Sequence, residues 1–265
     1  ASAGFVRRFY AGVTETLNIS VPDDTKVWRY MDFAKFVAML TQKGLYFPRV
    51  DKLEDSFEGA TGLGKREEEW DRFYLNFFRS AITSPPGAST IEFSPEDIED
   101  RAQRLLRDWK SIGSRDRTSF VSCWHANTGE SEALWRLYCP PATAGVAVQT
   151  TVRALWDATE NEPSSVVGRV HYLDFRKSFA DPHYRVFCKR ASLSHENEVR
   201  VVVKNEDNIS DSGKLIPADL GEIIQSVAVS PFAPSWFDGV VREVITNFGF
   251  IFEVRTSEIL ERPFF

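Results

Sequence analysis

The sequence predicts an α+β domain with a mixed central sheet, surrounding helices and a helical insertion at about 65–110. Three observations carry that prediction. The 265 residues include 43% hydrophobic and 26% charged residues, enough for one generous core. From Ser119 onward, runs of alternating or apolar β-type residues recur between short helical patterns, in an order too irregular for a βαβ array. The stretch between about 65 and 110 has helical periodicity and a higher charge density than its flanks.

Residues 1–25 read as an N-terminal helix or arm that ends at Val21-Pro22-Asp23-Asp24, so the whole chain, 1–265, is taken as one domain. Lys26 to Tyr30 is extended. Asp32 caps a helix in which Phe33, Phe36, Val37 and Leu40 share a face, and Gly44 closes it. Leu45-Tyr-Phe47 is a strand stopped by Pro48, and residues 49–64 form a long loop. Lys65 to Ser80 makes one helix and 84–89 a loop. Ser94-Pro95-Glu96-Asp97 starts the next helix, with Ser as cap and Pro at the first helical position. Its buried stripe is expected to be Ile98, Leu105, Leu106 and Trp109.

Further strands are predicted at 120–124, 145–149, 166–175, 199–203 and 223–229. A short helix spans Ser131 to Tyr138, and another carries Val152, Leu155 and Trp156. The last helix begins at Ser235-Trp-Phe-Asp238, and a strand at 250–254 closes the chain.

Composition narrows the function. Thirty-two Lys+Arg against 38 Asp+Glu give a net charge of −6. Such a chain is a poor general binder of phosphate backbones, so general nucleic-acid binding is expected to be unlikely, with room left for a local basic cleft. No apolar run reaches the roughly 18 residues that span a bilayer, and the N-terminus lacks a signal-peptide pattern. Cys123, Cys139 and Cys188 are odd in number and widely spaced, which suits a reduced, cytoplasmic setting better than a disulfide framework. P-loop, GxGxxG, HExxH and GxSxG motifs are absent, and His125, His171, His183 and His195 show no ligand pairing, so no metal is expected.

The most informative stretch is His195-Glu-Asn-Glu-Val-Arg-Val-Val-Val203. As a strand it would put Glu196, Glu198 and Arg200 on one face, either solvated or lining a site that handles developing positive charge. Arg29, between Trp28 and Tyr30, could hold phosphate or ribose through its planar fork. Asp55 and Glu58 sit in the long loop. Trp135 and Tyr138 are neighbours on a short helix, placed to pack the core or to stack a ligand ring.

Taken together these residues resemble a known family. Trp28-Arg-Tyr30, Leu45-Tyr-Phe47, Asp55-Ser-Phe-Glu58, Val121-Ser-Cys-Trp124, Leu134-Trp-Arg-Leu-Tyr138, Gly145-Val146, Glu196-Asn-Glu-Val-Arg200 and a final Val-Ala-Val-Ser-Pro (227–231) occur in this order. The set resembles the bacterial family catalogued as domain of unknown function 2971, over roughly residues 26–260. More distantly, Arg29, Ser122 and Glu196-x-Glu198 resemble the Arg–Ser–Glu pattern of mono-ADP-ribosyltransferases. The chain departs from that pattern in lacking a full Ser-Thr-Ser and an aromatic-rich turn before Glu196.

The resemblance implies NAD as substrate and an ADP-ribosyltransferase or NAD glycohydrolase of a toxin or defence type. It implies that Arg29 anchors phosphate or ribose with Ser122 in support. Glu198 would stabilise an oxocarbenium ion, and Glu196 would orient or activate the nucleophile. Trp28, Tyr30, Trp135 and Tyr138 would then flank the nucleotide. Two other classes compete. A binding module would present Trp28, Tyr30, Trp124, Trp135 and Tyr138 as an aromatic surface. A metal-dependent nuclease would use Asp55, Glu58, Glu196 and Glu198 as oxygen ligands.

Overall fold

The computed structural model describes residues 18–84, 93–140, 143–162, 164–206 and 209–265. Most of the expected N-terminal arm and of the 84–89 loop lies outside the described residues. The first part of the chain gives β1 (Lys26–Asp32), α1 (Phe33–Gln42), β2 (Gly44–Pro48), α2 (Glu67–Thr83), α3 (Pro95–Asp116) and β3 (Phe120–His125). The middle gives α4 (Glu132–Tyr138), β4 (Gly145–Thr151), α5 (Val152–Thr159), β5 (Val166–Arg169), β6 (His171–Leu173), β7 (Cys188–Arg190) and β8 (Glu198–Val203). The end gives β9 (Gly213–Pro217), α6 (Leu220–Ile223), β10 (Ser226–Val229), α7 (Phe237–Asn247) and β11 (Glu253–Thr256).

Seven strands form one mixed sheet in the order β11-β10-β4-β1-β3-β8-β5, antiparallel throughout except for the β10–β11 pair. β2 pairs with β9, and β6 with β7, in two small ladders. The α+β architecture is therefore the predicted one. Period two sorts the side chains of each strand between the faces. Val27, Met31, Phe120, Trp124, Val199, Val201 and Val203 join the main core, which α1, α5 and α7 cover with residues such as Leu40, Leu155 and Val241. Each such fully buried side chain contributes about 1.5–3 kcal/mol of burial free energy. On the other face, Trp28, Tyr30, Ala147 and Ala228 pack under Leu134 and Trp135 of α4.

The ladders are uneven, and this sets up the site. β1 and β4 stay in register from Lys26↔Thr151 to Asp32↔Gly145, whereas β1 and β3 pair only at Trp28↔His125. The start of β3 turns to the chain after β2 instead, through an Arg49↔Phe120 bridge and a Val50 N–H donating to the Ser119 carbonyl at 2.9 Å. The sheet is thus split between β1 and β3.

Local chemistry explains the predicted starts. Asp32 accepts from the Lys35 amide, and Ser94 from the Asp97 amide, capping α1 and α3 as expected. α1 does not end on Gly44, however. Lys43 takes the left-handed position, at φ 47°, and Gly44 opens β2 because a Cβ there would lie 2.5 Å from the Ile216 carbonyl oxygen. The expected 166–175 strand is two strands broken at Val170, and the expected 223–229 strand is α6 followed by β10. β7 and β9 have only three and five residues and were not anticipated.

α2 and α3 form a helix pair that contributes no strand to the sheet. Lys110 ties α3 to Glu67 and Asp71 near one end, and Arg79 pairs with Glu99 near the other, so the helices run antiparallel. Within the predicted stripe of α3 Leu106 is buried, but Leu105 is exposed, and Ala102 and Gly113 complete the packed face.

Candidate active site

Arg29 reaches into the split. Its Nη1 donates to Ser122 Oγ on β3 at 3.1 Å, and its Nη2 to the Tyr46 carbonyl on β2 at 3.4 Å. Ser122 Oγ also accepts from Trp124 Nε1 at 3.0 Å, and the Trp124 ring lies 5.7 Å from the guanidinium. Arg29 forms no ion pair among the described residues. It is half-buried, and burial lowers its pKa, while Cys123 and Tyr138 are close enough to favour its charge. A guanidinium that faces only neutral acceptors has donors left for an anion.

Beyond Cys123 lies a buried ionic cluster. Arg200 forks onto Glu58 at 2.7 and 2.8 Å, takes Glu198 at 2.5 and 3.2 Å, and donates to the Val186 carbonyl at 2.7 Å. Lys189 reaches Glu196 at 2.5 Å, Glu198 at 3.0 Å and Glu58 at 3.4 Å. Three carboxylates thus surround two cations, leaving one negative charge in excess. Burial alone would raise the Glu198 carboxyl, but Arg200 and Lys189 outweigh it and hold that carboxyl well below the usual range. Burial raises Glu196 in spite of Lys189, and pushes the Cys123 thiol far up.

The Glu-x-Glu motif is not one strand. Residues 191–196 form a 3-10 turn, and Asn197 adopts a left-handed conformation at φ 42° before β8 begins at Glu198. That kink, pinned by Asn197 Nδ2 donating to the Ala126 carbonyl, lets both carboxylates converge on Lys189. Nor is the row solvated: Glu196 is 6%, Glu198 1% and Arg200 0% exposed. Both oxygens of Glu198 are taken up within the cluster. Glu196 uses only Oε2, on Lys189, and its Oε1 has no partner among the described residues.

The other predicted site residues fall into two groups. Register places His125 opposite Glu198 and Cys123 opposite Arg200, all on the face covered by α4. Ser122 pairs with Val201 and lies on the opposite face, so it meets the site only through Arg29. Trp28, Tyr30 and Trp135 are core residues. Their polar atoms bond to the Asn127 carbonyl, the Ser131 amide and Glu130 respectively. They seat α4, whose Tyr138 is 39% exposed beside the His125 ring at 5.5 Å. With Trp124 also buried, these aromatics do not form an exposed recognition surface. Asp55 pairs with Arg190, and the three glutamates hold Lys189 and Arg200 where a nuclease would hold a metal. Among the described residues there is no group of three His, Cys, Asp or Glu able to hold a metal ion. Lys189 had no sequence signal, being one residue of a three-residue strand.

His125 gives the site a pH signature. Its Nδ1 lies 2.8 Å from the Glu196 carbonyl, which can only accept, so Nδ1 carries the proton of a neutral ring. Burial depresses its pKa below the ordinary 6.5. The unfolded chain therefore binds the proton first, and stability falls as the pH drops below about 6.5, with a limiting slope of about 1.4 kcal/mol per pH unit. The stability difference between wild type and His125→Asn, measured in urea at pH 7.5, 6.5 and 5.5, should shrink as the pH falls; the comparison isolates His125 from Glu196, whose raised carboxyl acts in the opposite direction.

No family model and no curated protein matches the chain. Among solved structures, the chain is similar to Thermus sp. 2.9 DarT in complex with ADP-ribosylated ssDNA, with a TM-score of 0.40 and 11% identity over 92% of this chain and 99% of that one. The same protein in complex with NAD+ gives 0.41 and 11% over 91% and 98%, and in complex with carba-NAD+ 0.38 and 11% over 90% and 97%. No helix among the described residues is long and apolar enough to cross a membrane.

Proposed function

We propose that the protein consumes NAD, breaking the nicotinamide–ribose bond and passing ADP-ribose to an acceptor or to water. What supports this reading is a cation and a carboxylate cluster near the same gap in the sheet: Arg29 leaves β1 on the Ser122 face, and its charge is felt by Cys123, Tyr138 and His125 on the cluster's side. Among the described residues, Arg29 is a guanidinium without an anion, and beyond Cys123 lies a carboxylate cluster with excess negative charge and an unpaired Glu196 oxygen. NAD needs both: a cation for its pyrophosphate, and negative potential where the ribose becomes an oxocarbenium ion.

Arg29 would grip the pyrophosphate through the donor sites that Ser122 and Tyr46 leave open. Glu196 Oε1 would accept from a ribose hydroxyl. Glu198, locked in its ionised form, would supply fixed negative potential rather than a direct bond. The C1′–N1 bond then breaks, its electron pair leaves with neutral nicotinamide, and the acceptor gives up its proton to Glu196 as it bonds C1′. Tyr138 would close the cleft on the α4 side. Because NAD is an intracellular substrate, such an activity suits a toxin or defence enzyme of the cytoplasm.

The acceptor panel includes single-stranded DNA alongside proteins and water, because a net charge of −6 describes the whole surface and not one cleft. Calorimetric titration with NAD tests the binding half. Wild type should bind, and Arg29→Ala should weaken binding by about 10- to 100-fold, as expected for loss of a charge-assisted pair. Equal affinity in the two proteins would remove Arg29 from the account.

A further inference from the structure

We propose that the cavity between the 59–64 loop and α3 is a second ligand site, for a phosphomonoester carrying a ring or apolar body of nucleoside size. The cavity holds about 350 Å³, within the range of small-molecule sites. Its floor contains Arg185, only 3% exposed. Arg185 Nε donates to the Pro182 carbonyl at 3.1 Å and lies 3.5 Å from Asp116, and Nη1 donates to Thr61 Oγ1 at 3.1 Å. Its Nη2 is buried with no acceptor. A buried, charged donor left unpaired is costly, and a ligand oxygen would satisfy it.

The surroundings are shaped for this group. α3 carries Gly113 beside it, where a Cβ would lie 1.9 Å from Arg185 Nη1. Arg117, at the end of α3, is exposed and makes no side-chain hydrogen bond or ion pair among the described residues. Its stem lies over Gly59, whose φ of 68° and closeness to Arg117 Cγ favour glycine. The amides of Gly62 and Leu63, which line the same cavity, donate to no backbone carbonyl among the described residues. Two guanidiniums and loop amides suit the several oxygens of a phosphoryl group better than the two of a carboxylate. Lys110 is not counted, because Glu67 and Asp71 already hold it. Trp70, Leu63 and Phe179 offer an apolar wall for the rest of the ligand.

None of the residues lining this cavity is Arg29 or a member of the carboxylate cluster. The same loop bears Glu58, and the carbonyl of Val186, next to Arg185, accepts from Arg200. The proposal therefore stands or falls independently of the NAD reading.

AMP is the probe, with adenosine and inorganic phosphate as controls, followed by calorimetry on the full chain. Wild type should bind AMP at least tenfold more tightly than adenosine. Arg117→Ala, an exposed change, should weaken AMP at least tenfold, and Arg185→Gln should do the same where it folds. In Arg29→Ala the Arg117-dependent part of AMP binding should persist. AMP affinity that ignores Arg117→Ala, or that is lost in Arg29→Ala instead, overturns the proposal. So does the absence of binding by both AMP and phosphate.

Discussion

Arg200→Met is expected to cost about 3–5 kcal/mol of stability, the typical effect of removing one partner from a buried ion pair. Arg200 has no exposed surface, and its guanidinium neutralises Glu58 and Glu198 at once. Without it, Lys189 alone faces three carboxylates in a poorly solvated space. A loss of that size is a large share of the roughly 5–15 kcal/mol that holds a domain together. Urea denaturation should show the midpoint falling steeply, with partial recovery in the double variant Arg200→Met/Glu58→Leu, which removes a charge of each sign. An unfolding free energy within about 1 kcal/mol of wild type, the range of exposed ion pairs, would mean that the cluster is solvated rather than buried.

The second large effect is catalytic. Glu196→Gln should lower nicotinamide release by about 10²–10³, the usual consequence of removing a group that stabilises developing charge. Its thermal midpoint should move little, because Glu196 gives the cluster a single contact, to Lys189, which Glu198 and Glu58 also hold. Glu198→Gln is a less clean probe. Arg200 and Lys189 both lean on that carboxylate, so a drop in activity would come with a drop in stability. Comparing the two variants by chromatography of nicotinamide and by thermal melting separates charge at the site from integrity of the cluster.

Much of this was legible in the residues. The alternation in Lys26–Tyr30, Phe120–Trp124 and Val199–Val203 identified β1, β3 and β8, and these are adjacent strands. Asp32 and Ser94 announced their helices because a side-chain oxygen followed by a helical pattern satisfies orphan amides locally. What stayed hidden depends on register between strands. Nothing within Phe120–His125 says that Ser122 points away from Glu198; the pairing of Cys123 with Arg200 decides it. The same holds for Lys189, whose role comes from where a three-residue strand lies. The left-handed Asn197 broke the expected period-two row, though Asn is a residue that tolerates that conformation. For Trp135 and Tyr138 the sequence offered core packing or ring stacking; Trp135 lies in the core, with Trp28 and Tyr30 buried beside it, while Tyr138 stays partly exposed.

The central claim is that the split between β1 and β3 consumes NAD. Incubating the purified full chain with NAD and measuring released nicotinamide by chromatography, in water alone and with single-stranded DNA and protein acceptors, tests it most directly. The account predicts release by wild type under at least one condition, falling by about 10²–10³ in Glu196→Gln and strongly reduced in Arg29→Ala. No release under any condition, or release that both variants retain in full, would contradict it.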